Sequence, residues 1–188
     1  MDSIIVFASG TGTNAKAIIE HFNENKKAKV SLIVCNNPEA GVLEIAKKEH
    51  IPFLIITKKT FQEVLLLEQL HDYQPSLIVL AGFLWKIPEH FVHEFKGKII
   101  NIHPALLPSH GGKGMYGAKV HDAVINAKDR QSGITIHEVN ERYDEGAIIL
   151  QARCAVKEGD TADQLARKIH ELEHFYYPRV IEQLLASK

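Results

Sequence analysis

The chain has 188 residues, 45% of them hydrophobic and 24% charged, enough apolar content for a real core and no disordered signature. Its formal net charge of −1 argues against electrostatic binding to nucleic acid or to membrane phosphates. No apolar run is long enough to span a bilayer, and without a signal-like N-terminus Cys35 and Cys154 read as reduced core thiols of a cytoplasmic protein.

Short apolar runs alternate with helical patterns through the first hundred residues. Ile4–Ala8 precedes a helical Asn14–Asn25, Val30–Val34 precedes Gly41–Glu49, and Phe53–Ile56 precedes Thr60–Tyr73. Leu77–Ala81 precedes Pro88–Phe95, and Ile99–Ile102 closes the series. Repeated βα units of this kind predict a parallel sheet covered by helices on both faces. Thr60 is the expected N-cap of the third helix, with Glu63 at the capping-box position, and Pro88 suits the first turn of the fourth.

The rhythm changes after His103. Residues 104–115 read as a loop, Tyr116–Ala127 as a helix, and Ser132–Val139 and Ala147–Val156 as strands of an antiparallel addition. Thr161 is expected to cap a final helix to about Leu185, kinked or split by Pro178. With no repeat, linker or low-complexity segment, the expected fold class is α/β. It is a single-domain, Rossmann-like open sheet over 1–188, mostly parallel with an antiparallel C-terminal addition.

Two stretches carry chemistry. In "FASGTGTNAKAI" a glycine turn joins a strand to a helix, leaving backbone N–H groups aimed at one point where the helix dipole favours negative charge. Thr11, Thr13 and Asn14 add polar groups there, so a phosphate monoester fits. The dinucleotide fingerprint can be forced onto Gly10, Gly12 and Ala15, but Cys35-Asn36-Asn37 stands where its ribose-binding acid is required. A plain βα turn with no ligand is the bland alternative.

The second stretch is "KIINIHPALLPS". Asn101 and His103 stand two apart in a strand, so they project to the same side, at the carboxyl end where open α/β sheets bind ligands. An amide donates to an oxygen becoming negative, and an imidazole gives or takes a proton near neutral pH. A satisfied polar pair at the sheet's rim carries about equal weight from spacing alone. Asp144, in "NERYDEGAIIL", is a candidate partner that would raise and orient the imidazole, or else part of a solvated hairpin tip. Neither Ser9 nor Ser109 is placed as a nucleophile, and histidine and cysteine spacing leads to no expected metal site.

Taken together with "SGTGTN", "VLAGFLWKIP", "GITIHEVNERYDEGAIILQ" and "ELEHFYYPRVI", the chain resembles the phosphoribosylglycinamide formyltransferase family over essentially its whole length and in order. The Asn-x-His-Pro-x-Leu-Leu-Pro core marks only the wider folate-dependent formyltransferases; the first loop and the Glu173 region narrow it. The resemblance implies transfer of a formyl group from 10-formyltetrahydrofolate to glycinamide ribonucleotide in purine synthesis, with no metal. By position it implies catalytic roles for Asn101, His103 and Asp144, with His103 kept protonated by Asp144. It implies ribonucleotide binding by Gly12, Thr13, Asn14, His170 and Glu173. It implies a pterin wall of Leu84, Trp85, Lys86, Ile87, Val92, Ile99 and Asn101, with Val139, Asn140, Glu141 and Tyr143 on its other side. Residues 1–103 would then form a phosphate-binding half, and 104–188 the folate and catalytic half with the last helix.

Departures from the family pattern are expected to alter folate affinity. Trp85 stands where an arginine is usual, and no arginine follows the third strand near Thr60–Val64. The glycine-rich Gly111–Gly117 reads as a mobile lid bringing Lys113 to the substrate phosphate, or as an inert surface loop. Rival readings are a sugar amine formyltransferase, a formyltetrahydrofolate deformylase, which normally carries an added N-terminal domain, and methionyl-tRNA formyltransferase, which needs a C-terminal domain and a basic surface. A nicotinamide-binding protein is the remote alternative. Oligomeric state stays open, and a homodimer is compatible with the sequence.

Overall fold

The structure, a computed structural model, describes residues 1–187. Seven strands form one sheet in the order β3-β2-β1-β4-β5-β6-β7. They are β1 Asp2–Ala8, β2 Ala28–Cys35, β3 Phe53–Ile55, β4 Leu77–Leu80, β5 Ile99–His103, β6 Gln131–Glu138 and β7 Ile148–Ala155. The helices are α1 Thr13–Asn25, α2 Val42–Lys48, α3 Val64–Asp72, α4 Glu89–Glu94, α5 Ala118–Asn126 and α6 Ala162–Ala186. Strands β1 to β5 pair in parallel, while β5–β6 and β6–β7 are antiparallel. The expected mostly parallel sheet with an antiparallel C-terminal addition is therefore what the chain builds.

Alternation along β1 explains the two cores. Ile4, Val6 and Ala8 face one layer with Ile18, Phe22, Leu165, Ile169 and Tyr177 of α1 and α6. Ile5 and Phe7 face the other, with Phe61, Leu70, Phe91 and Phe95. A strand buried on both faces reads as an unbroken apolar run, as "IIVFA" does.

Three local expectations are corrected. Residues 60–73 do not form one helix capped by Thr60: a 3₁₀ turn spans Thr60–Gln62, and Glu63, extended at φ −86° and ψ 138°, starts α3. The Thr60 hydroxyl instead accepts from the Thr57 backbone N–H at 2.9 Å. Pro88 is the N-cap of α4, with ψ 148°, and lies outside its first turn. Pro178 does not split α6, which continues through it. The missing N–H costs one helical bond, but Tyr177, Pro178, Val180 and Ile181 are all buried, so packing holds the turn in place. Thr161 and Gln164 do make the reciprocal capping box at its start.

Because sequential strands run outward from β1 toward β3 and then from β4 toward β7, strand order reverses between β1 and β4. A crevice opens at the carboxyl ends of strands beside such a reversal.

Candidate active site

One cavity of about 550 Å³ occupies that crevice. Its wall brings together the turn after β1, the segment after β4, the end of β5, the loop before α5, the β6–β7 connection and one face of α6.

The turn after β1 is held by an unusual backbone. Gly12 is the N-cap of α1 with φ 79°, and a Cβ there would lie 2.7 Å from Val42 Cβ, so only glycine fits. No side chain caps α1, which leaves its first N–H groups directed at the cavity. Asn14 then reaches across to α6, its amide donating to Glu173 Oε2 at 3.0 Å. His170 Nδ1 meets the same oxygen at 2.9 Å. Glu173 is only 5% exposed, and hydrogen bonding to it raises the His170 imidazole above its ordinary value, against the opposing effect of burial.

At the end of β5, Asn101 and His103 both reach the cavity wall, as their two-residue spacing requires. The Asn101 amide donates to His137 Nε2 at 3.1 Å, while His137 Nδ1 lies 2.8 Å from the Glu138 carbonyl. His137 Nε2 also lies 3.6 Å from Asp144 Oδ1, and the Asn101 amide keeps a second N–H. His103 Nε2 donates to the His110 carbonyl at 2.8 Å, and Nδ1 lies 3.6 Å from Asp144 Oδ2. Asp144 also accepts from the Gly112 N–H at 2.9 Å. Burial pushes the Asp144 carboxyl up, but the His137 ring, the charge of His103 and the Gly112 N–H outweigh it and hold it below the usual range.

The expectation of a His103 charged at rest meets an opposing effect. Burial lowers this imidazole below its ordinary value, although Asp144 and the His110 carbonyl pull it upward. With Nε2–H committed to His110, the neutral ring keeps its lone pair on Nδ1, beside Asp144. The loop that follows is fixed by the buried Thr135, whose hydroxyl donates to Ala105 O at 2.7 Å and accepts from Leu107 N–H at 3.0 Å.

Of the residues expected around the pterin, Leu84, Trp85, Lys86, Ile87, Asn101, Val139, Asn140 and Tyr143 line the cavity. Val92 and Ile99 do not: they are 6% and 2% exposed and lie in the core layer behind Ile87 and Val139. Glu141 does not either, its carboxylate lying 3.5 Å from His93 Nε2. Lys113 shares the cavity with the turn after β1, and Trp85 meets Phe61 at a tilt of 39° with ring centroids 5.9 Å apart.

His137 and His121 line the cavity and were not expected. The first was legible: Thr135 and His137 alternate with Ile134 and Ile136 as Asn101 and His103 do with their neighbours, and Asn101 pairs with His137 in register. His121, 5% exposed with Nδ1 unpartnered, reads in sequence as one more core-facing position of α5. His170 and His174 stand at an H-x-x-x-H spacing on α6. Their rings stack at 6.0 Å and 13°, and among the described residues no group of three or more ligands is poised for a metal.

Residues 2–181 match the formyl transferase family. A phosphoribosylglycinamide formyltransferase of Bacillus subtilis is 39% identical over 191 residues, an alignment covering 98% of this chain and 95% of that protein. The chain belongs to the phosphoribosylglycinamide formyltransferase family. A chloroplastic family member of Arabidopsis thaliana is 40% identical over 185 residues, spanning 95% of this chain but 63% of that longer protein. The crystal structure of the family member from Anaplasma phagocytophilum superposes with a TM-score of 0.91 at 34% identity, covering 99% of this chain and 87% of that one. In this formyltransferase, then, the cavity at the strand-order reversal is the candidate place for formyl transfer.

Proposed function

We propose that the chain transfers the formyl group of 10-formyltetrahydrofolate to the amine of glycinamide ribonucleotide. The observation that carries this reading is a shared cavity: the uncapped start of α1 and the Asn101–His103–Asp144 set open into the same space. A substrate with a phosphate at one end and an amine at the other can be anchored by the first and react at the second.

The phosphate sits against the Gly12–Thr13–Asn14 turn, where unpaired N–H groups and the helix dipole favour it. Glu173, held by Asn14 and His170 through Oε2, has no protein partner on Oε1 among the described residues and is placed to accept from ribose hydroxyls. The folate enters along Leu84 to Ile87 with Val139 to Tyr143 opposite, and its formyl carbon lies near Asn101 and His103.

The amine lone pair attacks the formyl carbon, a C–N bond forms, and the carbonyl electron pair moves onto oxygen. The second N–H of Asn101 donates to that oxyanion. The amine gives its proton to His103 Nδ1, and the resulting imidazolium is stabilised by Asp144 at 3.6 Å and the His110 carbonyl at 2.8 Å. Nδ1 then returns the proton to the folate nitrogen as its bond to carbon breaks and the carbonyl re-forms. Each bond broken has its counterpart, and the chain's own residues hold the proton throughout. Free thiols at Cys35 and Cys154 fit a reducing cytoplasmic setting for this chemistry.

The test mixes the protein with glycinamide ribonucleotide and 10-formyltetrahydrofolate. Tetrahydrofolate and formylated ribonucleotide should accumulate in equal amounts. Tetrahydrofolate appearing with formate alone would make the chain a hydrolase and end the proposal.

A further inference from the structure

His103 and Asp144 are both held by one three-residue stretch, His110-Gly111-Gly112. The His110 carbonyl accepts from His103 Nε2 at 2.8 Å, and the Gly112 N–H donates to Asp144 Oδ2 at 2.9 Å. The backbone thus presents an acceptor to the ring and a donor to the carboxylate, each matched to the group it meets. The stretch packs closely: a Cβ on Gly111 would come 3.5 Å from Asp144 Cβ and much nearer still to Leu107 Cδ2.

Such a clamp needs an anchor of its own, because His110 is in a left-handed conformation, φ 54°, that a branched or bulky chain resists. The anchor is visible. The His110 side chain turns away from the cavity, and its Nε2 lies 2.7 Å from Asp129 Oδ2, in the connection between α5 and β6. One residue therefore faces two ways, its carbonyl on His103 and its ring on Asp129.

We infer that the His110–Asp129 pair is a positioning device: it fixes the backbone clamp that gives His103 its Nε2–H tautomer and keeps Nδ1 free for the reacting proton. Neither residue touches the cavity, so both act through His103 and Asp144. The tautomer matters because an imidazole protonated at Nδ1 and accepting at Nε2 would point a lone pair at a carbonyl oxygen and offer no base to the amine.

This deepens the proposed formyl transfer and rests on it for its rate effects, but the tautomer can be read without any substrate. The ring nitrogens of His103 in ¹⁵N-labelled protein should show Nε2 protonated and Nδ1 bare when the ring is neutral. His110→Ala and Asp129→Ala should each mix the tautomers and lower kcat about tenfold, the effect of losing one hydrogen bond to a charged partner. The ribonucleotide KM should stay unchanged, the double variant should be no worse than either single, and His110→Gln, which keeps a side-chain N–H for Asp129, should recover most of the rate. Unaltered His103 tautomers, single-variant losses that multiply in the double, or a lower melting temperature with full kcat would each overturn the inference. So would failure of Asp129→Ala to fold, since a contact that anchors only a loop leaves both cores intact. If the wild type fails to formylate the ribonucleotide, the function is wrong, and the ring spectrum still decides the clamp.

Discussion

The Asn14 amide donates to Glu173 Oε2 at 3.0 Å, joining the first turn of α1 to the middle of the last helix across 159 positions of sequence. The contact spans the α1 end of the cavity and engages only one of the two carboxylate oxygens. Glu173→Ala should raise the ribonucleotide KM roughly ten- to a hundredfold, as expected for a lost hydrogen bond to a charged group, with kcat changed much less. Steady-state kinetics with varied ribonucleotide checks this.

Gly12→Ala should damage the same end by another route. The new Cβ meets Val42 at 2.7 Å, and φ 79° is unfavourable for alanine. A loss of about 1–3 kcal/mol of stability is expected from strain of this kind, along with weaker ribonucleotide binding. Chemical denaturation and inhibitor titration measure the two separately.

Asn101→Ala and His103→Ala remove groups expected to meet the developing oxyanion and the moving proton. Each should lower kcat about 10²–10³-fold while the circular dichroism spectrum stays native. A His103→Ala protein with more than about a tenth of wild-type activity would remove the role assigned to that ring.

Asp144→Asn should lower kcat strongly and also shift the pH profile. The Asp144 charge raises His103 against the larger lowering effect of burial, so removing it leaves His103 protonating only at lower pH. The acid limb of the residual kcat/KM, set by loss of the neutral ring, should therefore move to lower pH. A limb that moves upward would show that Asp144 acts otherwise.

Stability should fall in acid for a related reason. His103, His121 and His174 are each lowered, chiefly by burial, so unfolding lets them take up protons. Their contribution is complete above the unfolded imidazole value of about 6.5 and declines as pH falls through it. His170, raised by Glu173, works the opposite way, contributing below that value and losing its effect as pH rises. Three against one, the melting temperature should drop between about pH 7 and pH 5, and His121→Asn should flatten the slope.

The βα alternation and the parallel and antiparallel parts of the sheet were legible because they follow from short-range pattern. Apolar runs buried on both faces mark parallel strands, and Asn101 and His103 break one such run at its carboxyl end. The corrections fall where tertiary packing overrides local rules. Thr60 spends its hydroxyl on Thr57 and so cannot cap α3, and Pro178 is carried by buried neighbours on both sides. The Asp129 anchor could not be read at all, since it depends on which way a left-handed His110 turns its ring. The pairing of Asn101 with His137 was readable in principle, through the same alternation that marked Asn101 itself.

The most direct measurement of the central claim follows one carbon atom. The protein is given 10-formyltetrahydrofolate labelled with ¹⁴C in the formyl group, glycinamide ribonucleotide, and a large excess of unlabelled formate. Direct transfer inside the cavity should put the label into the formylated ribonucleotide at undiminished specific activity. Label diluted by the formate pool, or released as free formate, would contradict it.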